Sequence, residues 1–221
     1  MTFGPRTGPD RTANTHLFQA LAGAAVFCAL SSLSFAVPMA LSLMVLTGLA
    51  LPLIWGWVTG TWEFMGFTKR NLGAALLWGL AAGLATGLLG FVVVQERSLP
   101  SDLGRELAVA VPIWLLLASP FQEFFFRGWL QPRFEHKLGK AVGLLAATAA
   151  FTAWHYCWPL GGASSFPLYT LQGFIATFAA GLIYGYSFQR TGNIVAPWLA
   201  HALSGIRFVF LGMGSFLGQM T

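Results

Sequence analysis

The chain has 221 residues, 56% of them hydrophobic and only 9% charged, where soluble domains carry about a quarter charged residues. With 20 Phe, 9 Trp and seven acidic residues, this composition excludes an ordinary soluble domain and places the chain in a lipid bilayer. The net charge of +5 does not indicate nucleic acid, because no basic run exists and the positive residues fall at the ends of apolar stretches.

In chain order, residues 1–16 read as a polar, disordered N-tail rich in Gly, Pro and Thr. The apolar stretch from Leu17 to Val58 is broken only by Pro38 and Pro52. It is longer than a signal-peptide core of about 7–15 residues, so it reads as retained helices. Spans of about 20 apolar residues fall near 17–37, 39–58, 72–94, 107–130, 141–160, 168–188 and 194–217. The expected fold is an all-α, polytopic transmembrane helix bundle of about seven spans. Eight is the alternative, since Pro38 leaves almost no loop between the first two. Residues 17–106 supply N-terminal membrane helices and 107–217 a membrane core. The ends of these spans then sort the basic residues. With the N-terminus in the cytoplasm, Arg6, Arg11, Lys69, Arg70, Arg133, Lys137, Lys140 and Arg190 face inward, and only Arg97 and Arg105 lie outside. The expected location is an integral membrane protein of a prokaryotic plasma membrane.

Cys28 and Cys157 give neither a disulfide framework nor a C-x-x-C metal pattern. The residues that carry chemistry are the polar ones inside apolar runs. Glu123 and Arg127 stand four apart, on one helix face, within Ser119-Pro-Phe-Gln-Glu-Phe-Phe-Phe-Arg-Gly128. Ionisable residues at bilayer depth are costly, so they are paired and line a polar site. His155 and His201 repeat the anomaly on two further segments, and Gln122 adjoins Glu123. The structural alternative is that Glu123 and Arg127 lock a span kinked at Pro120 and that His155 bonds a neighbouring carbonyl. Arg207 reads as a packing or headgroup contact. Cys157, two residues past His155, points away from it on a helix and is a poor nucleophile. A carboxylate, a guanidinium and two imidazoles on separate segments fit a proton-handling site assembled across helices.

At these residues the chain resembles the CPBP family, the CAAX-prenyl-endopeptidase and bacteriocin-processing (Abi-type) intramembrane proteases. Gln122-Glu123-Phe-Phe-Phe-Arg127-Gly128 looks like its Glu-Glu-x-x-x-Arg motif. Phe151-Thr-Ala-Trp-His155 matches its Phe-x-x-x-His, and His201-Ala-Leu-Ser-Gly205 matches the start of its His-x-x-x-Asn. The resemblance covers about Pro112 to Arg207. The chain departs from the family at Gln122, where the first glutamate stands, and at Gly205, where the asparagine stands.

The resemblance implies an intramembrane endopeptidase acting on a membrane-associated peptide or protein, with no cofactor and no nucleic acid. His155 and a carboxylate hold and deprotonate a water, His201 supports the oxyanion, and Arg127 orients the carboxylate. With Gln122 in the usual position, Glu123 serves after a modest helix rotation. The family's older description as metalloproteases gives a variant in which Glu123, His155 and His201 bind zinc; no compact ligand set such as H-E-x-x-H supports it. The rival class is a catalytically impaired member that binds or regulates a membrane substrate, and a transporter or proton channel ranks behind it. One conflict stands: the spans above put Glu123 and His155 at depths about 15 Å apart at 1.5 Å rise per residue, whereas spans of 112–134 and 143–165 bring them level.

Overall fold

The computed structural model describes residues 11–34, 36–93, 99–157 and 170–211. Among these residues there are seven helices and no strand: α1 (Arg11–Ser34), α2 (Pro38–Thr59), α3 (Leu72–Val93), α4 (Leu103–Leu138), α5 (Lys140–His155), α6 (Leu171–Thr191) and α7 (Val195–Phe210). They correspond one for one to the expected spans. The helices α1 to α4 and α6 are long and apolar enough to cross a membrane. At 16 residues each, α5 and α7 reach only about 24 Å, short of a hydrocarbon core of about 30 Å. The protein is an all-α polytopic bundle, and its outer surface is apolar, with Phe18, Trp57 and Val92 more than 70% exposed. That is the pattern expected where lipid is the solvent.

Local sequence sets the helix ends. Pro38 begins α2 at a first-turn position, where its missing N–H costs nothing. The left-handed residues Gly60 (φ 69°) and Gly192 (φ 62°) terminate α2 and α6. The side chains of Asp102 and Thr170 accept from the backbone N–H groups of Arg105 and Gly173 and start α4 and α6. Within α4, Trp114–Ala118 and Phe124–Leu130 form wider π turns. Each runs up to a turn opening with a proline, Pro120 or Pro132, whose ring has no N–H to give and crowds the preceding turn.

Several boundaries differ from expectation. The first helix begins at Arg11, so residues 11–16 are helical, not a disordered tail: no Gly or Pro interrupts Arg11 to Leu21. The rest of that expected tail, residues 1–10, lies outside the described residues. The 107–130 span is part of α4, which continues to Leu138 because Gln131, Pro132, Arg133 and Phe134 are buried against the bundle. The 141–160 span ends at His155, where the Tyr156 N–H closes the last turn on the Thr152 and Ala153 carbonyls. The shifted boundaries 112–134 and 143–165 fail for the same reasons. The depth conflict is resolved by the turn between α4 and α5. Gly139 (φ 78°) joins the two antiparallel helices, and Glu123 and His155 lie sixteen positions to either side of it. Equal distances from one turn put them at one level.

The basic ends gather at one end of the bundle. His16 and His136 rings meet at 4.9 Å, Asn71 Nδ2 donates to the Thr191 carbonyl, Asn193 Nδ2 to those of Thr68 and Arg70, and Gln189 Nε2 to that of Lys140. Arg133 is an exception to the expected loop charges. It is fully buried, stacks on Trp129 (4.2 Å) and Trp55 (4.8 Å), and donates to the Trp129 carbonyl and Gln19 Oε1. The core is aromatic, built from Phe27, Phe121, Phe125, Phe126, Phe151 and Trp154. The most extensive helix contact is α3 on α7. There Gly79 and Gly83 give room to Leu199 and Leu203, and Gly90 gives room to the Arg207 guanidinium, whose Nη1 donates to the Thr86 carbonyl.

Candidate active site

Four helices contribute side chains to one buried polar centre: Gln122, Glu123 and Arg127 from α4, Phe151 and His155 from α5, Tyr184 from α6, and His201, Ser204 and Gly205 from α7. The one-face spacing on α4 produces the first contact. Arg127 Nη1 lies 3.2 Å from Glu123 Oε1, and both residues are completely buried. Arg127 is held twice more, by Nη2 donating to the Gly181 carbonyl at 3.0 Å and by its guanidinium resting 4.1 Å over the Phe151 ring. From α7, His201 Nδ1 reaches the same Glu123 Oε1 at 2.6 Å. One carboxylate oxygen thus receives an arginine and a histidine from two helices, while Glu123 Oε2 is buried and has no partner among the described residues.

The histidine hydrogen bonds assign their tautomers. His155 Nδ1 lies 2.9 Å from the Phe151 carbonyl, which only accepts, so Nδ1 carries the proton and Nε2 keeps its lone pair. This is the carbonyl bond of the structural alternative, and it leaves the other nitrogen free for chemistry. Against a carboxylate, His201 Nδ1 is likewise the donor, and its Nε2 is the nitrogen left for a ligand. Phe151 is the hub of the group: His155 lies 4.4 Å and His201 6.0 Å from its ring centre. Gln122 is buried with Oε1 unpartnered among the described residues.

The structure brings Glu123, Arg127 and His201 into direct contact and places His155 against their shared aromatic neighbour. It gives no direct hydrogen bond between His155 and Glu123. Neither Ser204 nor Asn193 stands in for the missing asparagine. Ser204 Oγ donates to the His201 carbonyl and pairs with the Tyr184 hydroxyl. Asn193 braces the basic end of the bundle, with its Oδ1 accepting from the Val195 N–H. A Cβ at Gly205 would overlap the indole of Trp114, so that ring fills the space a side chain at 205 needs. Tyr184, Trp114 and Gly181 are absent from the sequence reading, because nothing in their local spacing distinguishes them from core residues. For zinc, no three His, Cys, Asp or Glu side chains among the described residues are grouped to hold a metal ion, and His201 Nδ1 is committed to Glu123. Glu123, His155 and His201 do not form a ligand set in this arrangement.

An acid, an arginine and two histidines, contributed by separate helices of a polytopic apolar bundle, form one polar centre of the kind that lines functional sites in membrane proteins. Residues 104–206 match the family model described as type II CAAX prenyl endopeptidase Rce1-like. This segment, which holds every residue of the centre, is similar to that endopeptidase family, in agreement with the CPBP resemblance of its motifs. No curated protein and no solved structure matched the chain.

Proposed function

We propose that the protein is an intramembrane endopeptidase that hydrolyses a peptide bond of a membrane-associated substrate without a metal. The observation that carries this reading is the Glu123 carboxylate clamped on Oε1 by Arg127 and His201, with Oε2 and His155 Nε2 left as lone-pair acceptors. A water donating to these acceptors loses a proton to His155 Nε2 or Glu123 Oε2 as its oxygen adds to the scissile carbonyl carbon. The resulting oxyanion accepts from Nε2–H of protonated His201, whose counter-charge is Glu123. Return of the proton to the amide nitrogen breaks the C–N bond and releases an amine and a carboxylic acid. Arg127 orients the Glu123 carboxylate through its hydrogen bond to Oε1 and touches no reacting atom.

A second reading has its own observations. Gln122 cannot accept a proton as a carboxylate does, and Trp114 occupies the space beside Gly205. Both features suit a member that binds a membrane peptide without cutting it. The deciding experiment compares wild type with Gln122→Glu on a panel of quenched membrane peptides in proteoliposomes. The endopeptidase reading expects wild-type cleavage that Gln122→Glu raises. No cleavage by either form, with peptide binding retained, would establish the binding protein.

A further inference from the structure

We infer that Tyr184 is a positioning residue for His201, a role that rests on the endopeptidase reading for its consequence but not for its geometry. The Tyr184 ring lies on the His201 imidazole, with centroids 5.0 Å apart and planes at 19°, a stacked arrangement. Trp114 approaches the same imidazole at 6.0 Å and 38°, and the Phe151 ring meets it edge-on. Tyr184, Ser204 and His201 are all buried.

The hydroxyl chemistry fixes the ring in place. Ser204 Oγ donates its one hydrogen to the His201 carbonyl at 3.0 Å, so the hydroxyl pair formed with Tyr184 has Tyr184 as donor and Ser204 as acceptor. The phenol hydrogen is therefore spent on α7 and not available to a substrate. What Tyr184 supplies is orientation. It comes from α6, is tied to α7 three residues beyond His201, and covers the imidazole plane while Glu123 holds Nδ1 in that plane. One hydrogen bond in the ring plane leaves an imidazole free to swing about it, and a stacked ring removes that motion. With both, Nε2 has one direction, and a misplacement of about 1 Å at a reacting group costs on the order of 10²-fold in rate. Arg127 completes the arrangement, its guanidinium 5.5 Å from the Tyr184 ring centre, so acid, imidazole and ring share one rigid neighbourhood.

The test uses the full chain in proteoliposomes and reads two quantities: peptide cleavage, separated into kcat and KM, and the side-chain nitrogen NMR spectrum of His201, assigned by its loss in His201→Ala. Tyr184→Phe keeps the stacked ring and loses the hydroxyl tie; kcat should fall about 5-fold, the scale of one neutral hydrogen bond, with KM unchanged. Tyr184→Leu removes the ring; kcat should fall on the order of 10²-fold, and the His201 ring nitrogens should pass from one set of signals to an exchanging mixture. Ser204→Ala should match Tyr184→Phe, which keeps the inference testable if Tyr184→Leu does not fold. An unchanged His201 spectrum in both Tyr184→Leu and Ser204→Ala would overturn it, as would a loss confined to KM. If wild type cuts no peptide yet the His201 spectrum changes as described, the positioning role stands and the endopeptidase reading alone falls.

Discussion

The shared oxygen of Glu123 determines what single substitutions will do. Glu123→Gln leaves Arg127 buried without its counter-ion, which costs about 3–5 kcal/mol, and it leaves His201 only a neutral amide oxygen in place of the carboxylate. Stability and turnover should fall together. Combining it with Arg127→Met removes the stranded charge, so a thermal scan should show most of the stability returning while cleavage stays lost. Recovery of both would make Glu123 a structural residue only. Gly205→Asn should not restore the family pattern by itself, because the new side chain meets Trp114. Its expected effect is destabilisation by about 1–3 kcal/mol from overpacking, relieved in the double variant with Trp114→Ala. At this scale the sequence was informative wherever one helix carries both partners: the four-residue spacing of Glu123 and Arg127 is the ion pair observed. It was silent on Tyr184 and Trp114, whose contacts with His201 and Gly205 run between helices far apart in the chain.

Among the elements, the α4–α5 hairpin sets the level of the site. Gly139 has φ 78° and ψ 165°, a region essentially restricted to glycine. Gly139→Val should lower stability by about 1–3 kcal/mol and, by tilting α5 against α4, lower turnover more than an equally destabilising change on the lipid face such as Leu145→Ala. Turnover beside a thermal scan of both variants checks this; equal losses of activity at equal stability would contradict it. The apolar runs made the helices legible, while their ends were not. A hydropathy run stops at the first cluster of polar residues, yet α4 continues through Gln131, Pro132 and Arg133 because those side chains are buried against protein instead of reaching water. Once the turn is fixed at Gly139, the equal spacing of Glu123 and His155 about it follows from the sequence numbers. Span midpoints obscured that symmetry.

For the whole molecule, the arrangement of helix ends makes a prediction about orientation. Lys140 lies at the basic end of the bundle, and Asp102 begins α4 at the opposite end. With Cys28 and Cys157 replaced by Ala, a single cysteine at Lys140 should be labelled from the cytoplasm and one at Asp102 from the other side. Labelling of both from one side would sink the proposed topology. Among the described residues, Lys69, Arg70, Lys137, Lys140 and Arg190 lie at the helix ends of one end of the bundle, whereas Arg133 is held inside it by the aromatic rings of Trp55 and Trp129. The central claim is that the two imidazoles of the centre do chemistry, and its most direct measurement is single-turnover cleavage of a quenched membrane peptide by wild type, His155→Ala and His201→Ala in the same proteoliposomes. The account predicts cleavage by wild type and a loss of about 10²-fold or more in each variant, with both remaining folded in a thermal scan. Folded variants that cleave at the wild-type rate would contradict it.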